Sequence, residues 1–453
     1  MDLQKKKVLV VGMGRSGLSA ARWLSEQGAE VVIGDIKERD KIDQECLKAA
    51  LELGVKVETG AHREETFLHA EMIIVSPGVP HNIAPIEAAV KMGIPVIGEM
   101  ELAARQFQTP IIAVTGTNGK STAVSLLGEM IRASGAKVFV GGNIGTPLMD
   151  YVSGDRNADY VLVEVSSFQL DTMKEFYPVI SLLLNISPDH LDRYTDYEAY
   201  VNSKLRIVMN QKAGQYAILN DDDKILRGFR PRGGVTVLRY GMEKGQERNA
   251  YIEGKSLLAG LPGDKLHHFD VGHFRLPGRH NLENLMGVVL AGLAAGLESG
   301  IIEAGIMSFR GLPHRMEFIG RVRGVDFYDD SKATNVDAAL RSIESFDRQV
   351  ILIAGGRHKG GDYMPLVLAA KDRVKRAVIM GESKELMSRA FKDTIPLILA
   401  DDMEEAVSTA FREAEGNDVV LLAPACSSFD MFTDYAHRGR VFREQVERLR
   451  NAS

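Results

Sequence analysis

Val114-Thr115-Gly116-Thr117-Asn118-Gly119-Lys120-Ser121-Thr122 lies between an apolar run, Ile111 to Thr115, and a helical pattern, and this order of strand, glycine turn and helix decides the fold. The turn ends in Gly-Lys-Ser, where a lysine reaches the β- and γ-phosphates of a nucleotide and a hydroxyl reaches Mg²⁺. Gly116, Thr117, Asn118, Gly119, Lys120, Ser121 and Thr122 are therefore candidate phosphate contacts. The first glycine of the full G-x-x-x-x-G-K-[ST] pattern is absent, because Val114 occupies its place. A chance Gly-Lys-Ser turn is the alternative, and the strand-to-helix setting argues against it.

A second glycine turn stands nearer the start of the chain. Gly12-Met13-Gly14-Arg15-Ser16-Gly17 follows the apolar run Val8 to Val11 and opens a helical pattern. Asp35 ends the next strand, where an acid can accept hydrogen bonds from a ribose. Taken alone, this spacing reads as NAD binding by an oxidoreductase. Any nucleotide with a pyrophosphate could use the same turn, and glycines that only let strand and helix pack closely are the third reading.

Outward from these turns the chain alternates short apolar runs with helical periodicity, which predicts α/β domains. The first series has Val8 to Val11, Gly17 to Gln27, Val31 to Ile33 and Met72 to Val75, and ends near Gln108-Thr109-Pro110. A second has strands at Tyr160 to Val165, Val179 to Asn185 and Tyr216 to Asn220, then a long helix from about Asn281 to Leu297. Past Arg310-Gly311-Leu312-Pro313 a third begins with Val325 to Asp329 and continues through Val350 to Ala354, Ala377 to Met380 and Val419 to Leu422. Three domains in series are expected: a Rossmann-like one over 1–108, a central P-loop-type mononucleotide-binding one over 109–312, and a Rossmann-like one over 313–453.

Composition narrows the class. At 453 residues the chain exceeds one hydrophobic core, and 45% hydrophobic with 26% charged residues is a soluble balance. No apolar run is long enough for a membrane span, and the start Met1-Asp2-Leu3-Gln4-Lys5-Lys6-Lys7 leads into a strand, so a cytoplasmic protein is expected. Cys46 and Cys426 offer neither a disulfide framework nor a metal-binding spacing. A net charge of −6, mixed along the chain, argues against a nucleic-acid partner.

Two further stretches are candidates for holding a hard cation. Glu164 ends a strand in Val163-Glu164-Val165-Ser166-Ser167-Phe168, and His190 lies in Asn185-Ile186-Ser187-Pro188-Asp189-His190-Leu191-Asp192. Either residue by itself reads equally well as ordinary polar structure.

Gly116 to Ser121, the strand-end Glu164 and Asn185 to Asp192, in this order, resemble the central domain of the Mur ligase family. The resemblance continues through Leu276-Pro277-Gly278-Arg279-His280-Asn281-Leu282-Glu283-Asn284, similar to the family's adenine-side helix start, and Gly311-Leu312-Pro313-His314-Arg315-Met316-Glu317, similar to its interdomain motif. Asp329-Asp330-Ser331-Lys332-Ala333-Thr334-Asn335 resembles the signature of the member that adds D-glutamate.

That resemblance implies an ATP-dependent, amide-bond-forming ligase of peptidoglycan precursor synthesis. It would join D-glutamate to UDP-N-acetylmuramoyl-L-alanine through an acyl phosphate, with ATP and Mg²⁺, and work as a monomer. It implies catalytic roles for Lys120, Glu164, His190 and Lys204, with Ser121, Glu164, His190 and Lys204 at the metal and Lys204 carrying a CO₂-derived carbamate. Asn281, Asn284, Arg315 and Asp330 would join the phosphate loop on ATP. The UDP substrate would meet Gly14, Arg15, Ser16, Asp35, Ile36, Lys37, Ser76, Pro77, Gly78, Asn143 and His190, although Ile36 stands where relatives often carry a hydroxyl. D-Glutamate would meet Thr334, Lys359, Ser428 and the backbone near Tyr435. Another Mur ligase, or an amide ligase of the folylpolyglutamate synthase type, shares this chemistry. A non-catalytic ATP-binding regulator has no use for a metal set beside a separate substrate domain.

Overall fold

The computed structural model describes residues 2–191 and 193–452, so Asp192 of the Asn185 to Asp192 stretch lies outside the described residues. Three sheets follow one another along the chain. Each is built on strands buried over both faces, the mark of parallel sheets covered by helices on either side.

The first sheet is parallel throughout and runs, edge to edge, Lys56–Thr59, Glu30–Asp35, Lys7–Val11, Met72–Val75, Val96–Gly98. Strand order reverses beside Lys7–Val11, the crevice where doubly wound sheets bind ligands. The Gly12 turn leaves from there. A side chain on Gly17 would put its Cβ 2.0 Å from the Gly12 carbonyl oxygen, so the glycine permits a real close approach.

The second sheet places Ile111–Thr115 between Ile180–Leu183 and Tyr160–Glu164, again at a reversal of strand order. Beyond Tyr216–Asn220 it gains Thr236–Tyr240 and Arg248–Glu253, then an antiparallel extension, Ser256–Ala259 and His267–Asp270. The sequence reading assigns no element to these last four strands. A cue was available: Glu253 pairs with Ser256 across Gly254-Lys255, with Gly254 at φ +63°, a two-residue hairpin turn.

In the third sheet Val325–Asp329, Val419–Leu422, Val350–Gly355, Val374–Met380 and Leu397–Leu399 are parallel neighbours. An edge strand, Glu317–Val322, pairs antiparallel with Val325–Asp329 through Arg323-Gly324, both at positive φ as a type I′ turn requires.

The first two domains share a core. One apolar cluster runs from Trp23 and Leu24 through Met100 and Leu102 to Leu148, Val163 and Tyr200. At this junction the helix Glu99–Ala104 sends two buried carboxylates across: Glu99 accepts from Met149 N (2.6 Å), and Glu101 from Glu175 N (2.9 Å) and Phe176 N (3.1 Å). Arg105 closes on Glu101 at 2.7 Å. Among the described residues no helix is long and apolar enough to cross a membrane.

Burial pushes the Glu99 carboxyl up to about 7, with the Met149 N–H opposing and Asp150 adding to the rise. A carboxyl raised in the folded state contributes stability that is complete below its unfolded value and lost as pH climbs through 7. Glu99→Gln, which is neutral throughout, is therefore expected to melt higher than the parent at pH 8 and equally at pH 5, by calorimetry. Equal melting at both values would contradict the raised carboxyl.

Candidate active site

The phosphate loop is shaped by two glycines and held from behind by Asn185. Gly116 and Gly119 have φ of +157° and +87°, and a Cβ on Gly119 would lie 2.6 Å from the Asn284 amide. Asn118 N donates to Asn185 Oδ1 (2.9 Å), while Asn185 Nδ2 returns a bond to Asn118 O (3.1 Å). Gly119 caps the helix Lys120–Ala133, whose first backbone N–H groups form an anion site.

Two lysines converge on this loop. Lys120 Nζ donates to Gly116 O and Thr117 O, both at 2.8 Å, and Lys204 Nζ donates to the same Gly116 O at 2.8 Å. Lys204 is 2% exposed and lies 4.7 Å over the Tyr200 ring. Burial, and then the neighbouring Lys120 charge, push its amine well below the ordinary lysine value. Burial lowers Lys120 as well, against the pull of Glu164.

Glu164 is buried and bound on both oxygens: Ser121 Oγ donates at 2.6 Å and Asn143 Nδ2 at 2.8 Å. Arg315 Nη2 reaches Ser121 Oγ at 2.6 Å. His190 sits at φ +56° against Phe168, 4.9 Å between centroids, with Nε2 3.7 Å from Asp189 Oδ2. Burial outweighs Asp189 and lowers its imidazole to about 4, leaving a neutral ring with a nitrogen lone pair to offer.

On the far side of the loop Asn118, Gly119, Thr122, Asn281, Asn284, Arg315 and Asp330 line one cavity with His280, Lys332 and Arg341. Asp330 takes hydrogen bonds from Ser342 Oγ and Met316 N (3.3 Å), and burial raises it to about 6. Lys332 lies 3.9 Å over the Tyr435 ring, and burial, followed by Arg315, lowers it to about 7.

The third domain touches the loop directly. Asn118 Nδ2 donates to Asp337 Oδ2 (2.8 Å), and Asn335 Nδ2 donates to Asp189 Oδ2 (2.9 Å). Lys359 Nζ stands 3.5 Å from Thr334 Oγ1 and 3.8 Å from Asp189 Oδ1. Ser428 is buried, and Tyr435 opens the last helix with its carbonyl accepting from Ser331 Oγ at 2.8 Å.

In the first domain Asp35 braces the glycine turn: Oδ2 accepts Met13 N and Oδ1 accepts Lys37 N, both at 2.9 Å. Nothing crowds Gly14, and Ile36, just after the strand Glu30–Asp35, stands 61% exposed. Arg15 is exposed and Ser16 half-buried at the start of the first helix. Ser76 Oγ donates to Gly12 O (3.1 Å), and Arg193 of the second domain reaches Gly78 O (3.3 Å) past Pro77.

Comparison with known proteins agrees with this layout. Residues 6–98 match the Mur ligase MurD-like N-terminal domain, 114–292 the Mur ligase middle domain, and 314–426 the Mur ligase glutamate ligase domain. The chain is 42% identical over 449 residues to the UDP-N-acetylmuramoylalanine--D-glutamate ligase of Geotalea uraniireducens, covering 99% of both chains. It is 43% identical over 454 residues to the enzyme of the same name from Desulfosudis oleivorans, covering 99% of this chain and 98% of the other. The chain belongs to the Mur ligase family. Solved relatives share the fold: a MurF ligase from Thermotoga maritima in complex with ADP has a TM-score of 0.63 at 18% identity, covering 100% of both chains. A pseudomurein peptide ligase type C from Methanothermus fervidus has a TM-score of 0.62 at 19% identity, covering 98% of this chain and 100% of the other.

Several residues of this Mur ligase site were not singled out in the sequence. Asp189 and Asn335 stand inside quoted motifs, so adjacency was the available signal. Arg438 had none: it is buried and donates to Ser331 O (2.8 Å), Ser331 Oγ (2.9 Å) and Cys426 O (3.2 Å), tying two loops at the strand ends. His280, in the cavity lined by Asn281, Asn284 and Asp330, is lowered by burial to about 4. A depressed histidine contributes stability that is present above its unfolded value and lost as pH falls toward the folded one. Proton NMR should therefore show two imidazoles with midpoints near 4, both removed by His190→Gln plus His280→Gln. Midpoints near the ordinary ~6.5 would mean the rings are solvated.

Proposed function

We propose that this Mur ligase joins D-glutamate to UDP-N-acetylmuramoyl-L-alanine in the cytoplasm, using ATP and an acyl phosphate. The observation that carries the reading is the pairing of Thr334 and Lys359 on the third domain with the phosphate loop through Asp189, Asn335 and Asn118. It places a cation suited to a free carboxylate beside the loop suited to ATP. The names of relatives that align end to end point to the same amino acid.

A carboxylate is a poor acyl donor until one oxygen becomes a phosphate leaving group. Lys120 is assigned to the β- and γ-phosphates, leaving its present carbonyl partners when ATP enters, and the helix N-terminus at Gly119 to the same charge. Asn281, Asn284, Arg315 and Asp330 take the nucleoside side. The UDP part falls to the Gly14, Arg15 and Ser16 turn, Asp35, Ile36, Lys37 and Ser76 to Gly78, and the alanyl end to Asn143. Lys359 meets the side-chain carboxylate of D-glutamate, with Thr334, Ser428 and the backbone at Tyr435 completing the pocket.

The oxygen-rich pair Ser121 and Glu164, with neutral His190 close by, suits a hard divalent cation. Mg²⁺ held there would offset phosphate charge in the transition state. Lys204 is assigned a carbamate. A buried ammonium hydrogen-bonded to a neutral carbonyl is costly, and the neutral amine favoured here is the form that takes up CO₂ and becomes an oxygen ligand.

Phosphate release with Mg-ATP and UDP-N-acetylmuramoyl-L-alanine should require D-glutamate and not L-glutamate, L-lysine, diaminopimelate or D-Ala-D-Ala. Release with another of these amines would overturn the substrate. Lys359→Met should raise KM for D-glutamate about 10- to 100-fold, the worth of a hydrogen bond to charge, with KM for ATP unchanged. Lys204→Ala should abolish turnover; full activity together with an unmodified Lys204 by mass spectrometry would remove the carbamate.

A further inference from the structure

The turn that carries Asn143 is not self-supporting. Its residues bond to one another and to the Glu164 strand, Gly142 N to Thr146 O and Asn143 N to Glu164 O, both at 2.9 Å. It then runs straight into the helix Leu148–Ser153, whose N-cap is Pro147, a residue with no side-chain acceptor for the open N–H groups. The acceptor comes from another domain: Met149 N donates to Glu99 Oε1 at 2.6 Å. Its neighbour Met100 abuts the same turn, since a Cβ on Gly142 would lie 3.0 Å from Met100 Cε. Gly98, just before them, is held close to the second domain, as a Cβ there would stand 2.4 Å from Thr172 Oγ1.

We propose that Glu99, with Met100, is a positioning residue of the ligase reaction, supplying from the UDP-binding domain the helix cap that fixes the Asn143 turn against the alanyl end of the nucleotide-sugar substrate. This rests on the function proposed above. The nucleotide-sugar spans the junction of the first two domains, so the angle between its UDP and alanyl contacts is set by this cap. ATP contacts lie on elements that Glu99 does not touch. Either protonation state serves, because a carbonyl oxygen accepts the Met149 N–H in both. The ionisable groups brought by the packed elements are Asp150, itself bonded by Ser19, and Tyr151, whose hydroxyl pairs with Thr109 Oγ1 at 2.8 Å; Arg15, Arg22 and Glu26 lie on the exposed side of their helix, and the strands Met72–Val75 and Val96–Gly98 carry none.

Steady-state kinetics of the full chain test this with Glu99→Met, which keeps volume and loses the acceptor, and Glu99→Gln, which keeps the acceptor. Glu99→Met should raise KM for UDP-N-acetylmuramoyl-L-alanine about tenfold and leave KM for ATP within about twofold, while Glu99→Gln stays near the parent on both. Met100→Leu, which withdraws the terminal methyl, should show the same split in smaller measure and keeps the test open if Glu99→Met does not fold. Unchanged KM values in Glu99→Met and Met100→Leu, an equal rise for both substrates, or a Glu99→Gln as impaired as Glu99→Met would each overturn the positioning role. An inactive parent would instead remove the ligase reading itself.

Discussion

Two amines sharing one carbonyl oxygen set the terms for this active site. Lys120 and Lys204 both donate to Gly116 O, with Lys204 buried and Lys120 half-buried. Such a pair is expensive while both are charged, and burial lowers both. The arrangement therefore favours any event that brings negative charge to the loop. Triphosphate on one lysine and a carbamate on the other would each do so.

Geometry around that pair depends on backbone conformations that few residues adopt. Gly119 must be left-handed and without a side chain because the Asn284 amide occupies the space, which joins the phosphate loop to the helix Arg279–Ala294. Asn185 then matches the loop's backbone, and Thr117 Oγ1 meets Ser187 O and Tyr200 OH. Motifs far apart along the chain are thereby made into one wall.

How the domains are joined differs at the two junctions, and the difference is physical. The first and second share a continuous apolar cluster and two buried carboxylate caps, which resist bending. The third meets the second mainly through polar side chains, Asn118 with Asp337, Arg315 with Ser121 and Asn335 with Asp189. Polar contacts of this kind re-form with water at little cost, so this junction resists separation less than the first.

Much of this was legible before any coordinates. Strand, glycine turn and helix read locally, so Gly12 to Gly17 and Gly116 to Thr122 were placed correctly on the ends of Lys7–Val11 and Ile111–Thr115. The helix expected near Asn281 to Leu297 is Arg279–Ala294, its ends shifted because fraying termini have weak sequence signals. The strands from Thr236 to Asp270 went unread apart from the hairpin cue at Gly254-Lys255, since short strands alternate weakly and pairing selects them over loop.

By itself, then, the sequence determined which short segments form phosphate turns, the order of three α/β domains and the amino acids available to the site, because those depend on neighbours along the chain. Tertiary structure alone decided that Lys204 faces Gly116, that Arg438 ties the loops at Ser331 and Cys426, and that Glu99 caps a helix in another domain. Burial and pairing across such distances arise only when the sheets are packed, and they are what shifts the amines, imidazoles and carboxyls from their ordinary states.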